Sequence, residues 1–304
     1  MSWKKIETIT DLILSNQTKE KAEQWTIWVA IGSFIIHLVV IGLVNLHLLK
    51  IPFESELLTN PVSAIYTPFS FMLLFEVYLL VYHIPLSTSD YIAKQYEIIT
   101  LIVIRRIFKD LSNLDLSIDW FQDKNDLLFT YDILTALVLF LLIYVFHRLI
   151  QKETPQKIVD QLPIKVQLFI KRKQLMAALL VPAVLMIAMY SFTVWLIDTS
   201  EWIRSGNNAT SSFIDINNIF FDEFFTLLIL TDVLLLLFSF FHTTRFDIFI
   251  RNSGFIISTV LIRISFSVDG LVNNILIVVA VIFGVLILLI NRQYQKLDQK
   301  RLKV

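Results

Sequence analysis

The chain has 304 residues, 56% of them hydrophobic and 17% charged, with a mean hydropathy of +0.69. A soluble fold of that length cannot hide so many Phe, Ile and Leu side chains from water. The 26 basic and 26 acidic side chains balance, which removes a global electrostatic case for nucleic acid, and the lack of cysteine removes disulfides, thiolate metal sites and cysteine nucleophiles.

The expected class is an all-α polytopic integral membrane protein. Alternating ten-residue strands are missing, so an outer-membrane barrel is not expected. In chain order, residues 1–24 form a polar, cytoplasmic N-terminal segment in which Lys4, Lys5, Lys19 and Lys21 are offset by four acids. This segment lacks the pattern of a cleavable signal peptide, so the first span is expected to act as an uncleaved insertion signal. Within it Ile6, Ile9, Leu12 and Ile13 recur at helical spacing, as in a surface-lying helix.

A bilayer core needs roughly 20 apolar residues in helix. Clear spans are expected at 26–49, 61–84, 127–147, 174–197, 218–241 and 271–291, with two more charged ones at 91–108 and 247–267. With the N-terminus inside, eight helices place 17 Lys and Arg in inner segments against 4 in outer ones. Omitting both charged helices would put the basic 148–173 stretch outside, against that rule. Eight transmembrane helices with N- and C-termini cytoplasmic is therefore the expected topology. Trp25, Trp28, Trp195 and Trp202 fall where interfacial belts belong, and Pro61, Pro68 and Pro182 either start or kink helices.

The second half repeats the first. Glu76 sits in an apolar run between Phe75 and Val77, and Asp232 sits between Thr231 and Val233 in another. Asp90, Lys94, Gln95, Ile99 and Arg106 recur as Asp247, Arg251, Asn252, Ile256 and Arg263, while Arg148, Gln151 and Lys152 recur as Arg292, Gln295 and Lys296. The expected domains are a first four-helix repeat (25–150), a basic cytoplasmic linker (151–173), a second four-helix repeat (174–292) and a basic cytoplasmic tail (293–304). An even number of crossings makes the two repeats parallel, with a pseudo-twofold axis along the membrane normal.

Ionisable groups in a bilayer are costly, face the bundle interior and find partners. On a helical wheel Lys94, Arg105, Lys109, Gln95 and Arg106 share one face of the third helix, flanked by Glu97 and Asp90. Arg251, Asn252, Thr259 and Arg263 do so on the seventh, flanked by Asp247, Ser258 and Ser265. At 1.5 Å per residue Glu76 lies roughly 12 Å above the inner end of its helix, and Lys94 and Arg251 lie about 5 Å above theirs. A long basic side chain covers much of that gap, so Glu76 with Lys94 and Asp232 with Arg251 are the expected pairs. Arg105 and Arg106 lie toward the outer third, out of reach of Glu76. Such pairs either fix helix register, line a polar path or meet a partner subunit.

Weaker signals lie elsewhere. His37 and His47 share the first helix, and His83 and His242 end the two acid-bearing helices. Asp132 in the fourth helix has Asn273 and Asn274 at the comparable place in the eighth. The acidic stretch around Asp110, Asp115, Asp119, Asp123 and Asp126 carries no ligand-like spacing, and Asn208-Ala209-Thr210 is a formal sequon in a chain of bacterial style. P-loop, Rossmann, HExxH and GxSxG patterns are all missing, so neither an enzyme nor a cofactor is expected.

The expectation is a membrane transporter or channel for a small ion or solute, in a bacterial inner membrane. Its polar path would be lined by Glu76, Lys94, Glu97, Arg105, Arg106, Asp232, Arg251, Asn252 and Arg263. Basic residues on both polar faces tilt such a path toward anions, while Glu76 and Asp232 suit proton or cation carriers. The alternative is a non-catalytic membrane scaffold or assembly subunit whose charge pairs serve packing and partner binding. Expected partners are the lipid bilayer and a second copy or membrane partner protein. Gly254 and Gly284 are the only glycine interruptions in the later helices.

Overall fold

A computed structural model describes residues 14–48, 56–85, 87–111, 124–150, 171–184, 186, 187, 189, 190, 193, 212–240 and 246–301. Among these residues the chain is helical, with no strand. In chain order the helices are α1 (Asn16–Asn45), α2 (Tyr66–His83), α3 (Thr88–Asp110), α4 (Lys124–Ile150), α5 (171–184), α6 (Ser212–Phe240), α7 (Phe246–Ser265) and α8 (Gly270–Arg301). A single turn of helix at Glu56–Thr59 and a 3-10 segment at Pro61–Ile65 lead into α2. Pro61 opens that segment and Pro68 lies in the first turn of α2, where a missing N–H costs nothing.

Among the described residues, five helices are long and apolar enough to cross a membrane: Asn16–Asn45, Pro61–His83, Asp126–Ile150, Phe246–Ser265 and Gly270–Leu297. That set is compatible with a multi-pass membrane protein. A further helix, α3 with 23 residues, matches in length but stands outside it. In α3 the reason is composition, because Asp90, Lys94, Glu97, Arg105, Arg106, Lys109 and Asp110 break its apolar character. The span expected at 174–197 falls only partly within the described residues. Outside them lie the 1–13 and 151–170 stretches, the acidic 112–123 segment, Trp195, Trp202, the 208–210 sequon and His242.

Burial follows the polarity of each helix in the inverse of a soluble protein's order. On α1 only Ala30 and Ile41 are buried, while Trp25, Trp28 and Ile36 are exposed. On α4 the exposed side chains Leu134, Leu137, Phe140, Leu141 and Tyr144 form an apolar stripe at helical spacing, and on α8 Val272, Ile275, Val279, Ile282 and Leu286 do the same. Such stripes suit hydrocarbon rather than water. The charged helix α3 is instead among the most enclosed, with Tyr91, Gln95, Tyr96, Ile98, Ile99, Val103 and Arg105 all buried. Seven charges are tolerable on one helix because protein surrounds it.

Consecutive helices pack in the order α1 on α2, α2 on α3, α3 on α4, α6 on α7 and α7 on α8, and the two halves meet through α4 against α8 and α3 against α7. The α7 face turned inward carries Asp247, Gly254, Phe255, Ser258, Thr259, Ile262 and Ser265, three of them small hydroxyl residues. The break between α7 and α8 ends at Gly270, whose φ of +66° a residue with a Cβ rarely adopts. Asn273 then donates from Nδ2 to the Ser265 carbonyl at 2.5 Å, satisfying an acceptor at the α7 C-terminus.

Candidate functional site

Three polar stations lie along α3, from Lys94 to Arg106, a rise of about 18 Å for twelve residues of helix. At the N-terminal station Lys94 Nζ sits 3.1 Å from Glu76 Oε2 on α2 and 2.5 Å from Glu97 Oε2 one turn on. Glu97 Oε1 in turn accepts from His147 Nε2 on α4 at 2.8 Å. One lysine thus serves two carboxylates, and the histidine adds a second donor to Glu97. All three charges are mostly shielded, with side-chain exposures of 14% for Lys94, 18% for Glu76 and 32% for Glu97.

Replacing Lys94 by methionine leaves two carboxylates without their shared cation. We expect a stability loss of about 1–3 kcal/mol, the usual range for stranding a buried polar group. Adding Glu76→Gln should recover part of it, because the stranded charge is then gone. Thermal denaturation in detergent checks this, and an equal loss in single and double variants would remove the pairing.

The middle station joins α3, α6 and α7. Gln95 Nε2 lies 3.4 Å from Asp232 Oδ2, and Thr259 Oγ1 lies 2.7 Å from Gln95 Oε1, 3.3 Å from Asp232 Oδ2 and 3.2 Å from the Phe255 carbonyl. One hydroxyl proton serves one acceptor at a time, so Gln95 at 2.7 Å takes most of it. The Tyr91 hydroxyl is buried beside Asp232 and Gln95 without reaching good hydrogen-bond geometry to either. In the adjacent positions, Ser258 Oγ donates to the Ala280 carbonyl at 2.7 Å and therefore accepts from Tyr96, 2.8 Å away.

Beside Asp232 a cavity of about 20 Å³ has room for one water molecule. Its polar lining is Thr88, Lys173, Asp232 and Asn252, and the rest is apolar. Lys173 is itself buried and donates to Thr88 Oγ1 at 3.4 Å. It precedes the span expected at 174–197, and burial pushes its ammonium down to about 8, with Arg251 acting in the same direction and Asp232 against both.

The C-terminal station is a fork. Arg106 donates from Nε to Asp132 Oδ2, from Nη2 to Asp132 Oδ1 at 2.9 Å and to Asn274 Oδ1, and from Nη1 to Asn273 Oδ1 at 2.8 Å. Asn274 Nδ2 closes the ring on Asp132 Oδ1 at 2.6 Å. The fork ties α3, α4 and α8 together, with Asp132, Asn273 and Asn274 all buried.

The remaining expected residues are placed as follows. Arg105 is buried with its guanidinium 6.0 Å from the Phe221 ring of α6, a cation–π distance. Arg263 donates from Nε to Thr226 Oγ1 at 2.8 Å, and Arg251 Nε lies 3.3 Å from Asn252 Oδ1. The expected partnership of Asp232 with Arg251 is replaced: Asp232 takes Gln95 and Thr259, because α3 packs against α7 and brings Gln95 to it. His37 Nδ1 meets Thr67 Oγ1 at 2.5 Å and His83 Nδ1 donates to the Leu79 carbonyl at 2.6 Å, both as helix-packing bonds. Lys173 and His147 carried no signal in the sequence that set them apart. Asp132, Asn273 and Asn274 did, through their matching places in the two halves.

Among the described residues no three His, Asp or Glu side chains group as metal ligands. Compared with known protein families, characterised proteins and solved structures, the chain matches none.

Proposed function

We propose that the chain is a multi-pass protein of a bacterial inner membrane that moves a small ion or solute. The proposed architecture is eight spans in two parallel four-helix repeats, with both termini cytoplasmic. What carries the reading is the row of three polar stations on α3, in a helix enclosed by apolar ones. Charges are placed at membrane depth at a cost, and a row of them along one central helix suits a path better than a single packing contact does. Counterpart helices of the proposed repeats also meet, α3 with α7 and α4 with α8, as expected for a twofold axis along the membrane normal.

A second reading has its own support. The Arg106 fork uses all three guanidinium nitrogens on acceptors from two other helices, which is how a packing lock is built. On that view the protein is a scaffold or assembly subunit. Reconstitution into sealed liposomes decides between them. A pH-sensitive dye inside, with imposed gradients of proton, sodium, potassium and chloride, should report flux dependent on the protein. Impermeability to every one of these, combined with stable co-purification of a second membrane protein, would sink the transport reading.

A further inference from the structure

The three stations hold four carboxylates in different ways, Glu76 and Glu97 sharing the Lys94 ammonium. Glu76 has an ammonium at 3.1 Å, and Asp132 has a guanidinium across both oxygens. Asp232 is buried with a thin neutral shell: an amide at 3.4 Å and a share of one hydroxyl whose proton is mostly committed to Gln95. A carboxylate held directly by a cation stays ionised. One desolvated among neutral groups stays ionised only if a charge stands close by.

That charge is Lys173, and the two line the same one-water cavity. The groups facing Asp232 are Tyr91 and Gln95 from α3, Lys173 from α5, and Thr259 with Asn252 from α7, while Arg251 acts on Lys173. We propose that Asp232 is the proton-exchanging carboxyl of this bundle, with Lys173 its counter-charge across one water molecule. A proton arriving as hydronium in the cavity passes to an Asp232 oxygen, leaving water and a neutral carboxylic acid. Release reverses the step, and no other bond changes. The carboxyl form suits its neutral shell, and the carboxylate form suits Lys173. Glu76 and Asp132 differ from it in that each meets a cation directly. The proposal rests on the transport reading only for its purpose, since it names the proton as the ion carried or coupled.

Infrared difference spectra of the full-length protein in lipid, acid against alkaline, test it without any flux. Subtracting the Asp232→Asn spectra from the native ones removes the carboxyls common to both, and a protonated-carboxyl component should remain on acidification. Lys173→Met should move its midpoint up by about one pH unit or more, because a nearby cation favours the charged form. If Asp232→Asn does not fold, the Lys173→Met midpoint alone decides. The absence of that component from the native-minus-Asp232→Asn difference, or a midpoint unmoved by Lys173→Met, overturns the proposal. A titrating Asp232 in a protein that moves no protons in liposomes upholds the site and removes the transport reading. Proton flux untouched by Asp232→Asn does the reverse.

Discussion

Arg106→Leu is expected to be among the most damaging single substitutions in the chain, at about 3–5 kcal/mol. Asp132 has a side-chain exposure of 4% and accepts both arms of the guanidinium plus the Asn274 amide. Leucine removes the cation and leaves a buried carboxylate with one neutral donor. The reverse change is milder: after Asp132→Asn, Arg106 keeps Asn273 and Asn274, and at 29% exposure its long stem can lift the charge outward. The double variant Arg106→Leu with Asp132→Leu should lose less than the two single losses summed, since no buried charge is then left without its counter-charge and only the Asn273 and Asn274 amides lose partners. Thermal unfolding in detergent reads the order. A loss under about 1 kcal/mol for Arg106→Leu would mean that the fork is not desolvated as its geometry implies.

This fork also shows where sequence reading ends. Hydropathy finds the apolar helices because a stripe of exposed Leu, Phe and Ile on α4 or α8 is a local property of one segment. The polar face of α3 is local too, and the short connection from α2 to α3 brings Glu76 within reach of Lys94. Asp132, Asn273 and Asn274 stood out as matching places in two repeats, yet that correspondence did not say they would touch. They touch because α4 packs on α8, and no single segment encodes which distant helices are neighbours. The same gap explains Asp232. By analogy with Glu76 its partner should come from α7 alone, but α3 supplies Gln95 and α5 supplies Lys173 to the cavity. Composition likewise reads α3 as a poor membrane helix, since a count of its charges takes no account of the protein around it.

The glycines were legible only as interruptions, and their contacts give them another meaning. Gly284 lies inside the continuous helix α8, and a Cβ there would overlap the Tyr96 hydroxyl and come within 2.7 Å of Tyr96 Cζ. Tyr96 has nowhere to go: it is fully buried, its ring sits 5.0 Å from Phe146, and its hydroxyl is bonded to Ser258. In an unpacked helix glycine to alanine would help by roughly 1 kcal/mol. Here the overlap must outweigh that gain, and Gly284→Ala should cost about 1–3 kcal/mol as overpacking. Gly32 and Gly42 on α1, where an added methyl would meet nothing within 4 Å, are the controls and should be neutral or slightly stabilised by alanine. Adding Tyr96→Phe should recover part of the Gly284→Ala loss, because the worst contact is with the hydroxyl. If Gly284→Ala is as stable as the native protein, α3 and α8 are farther apart than these contacts imply. The close approach also bears on the site, since Gln95 is the residue beside Tyr96. Pushing α3 away from α8 shifts the amide that reaches Asp232, so Gly284→Ala should alter the Asp232 titration, while the α1 glycine variants leave it in place.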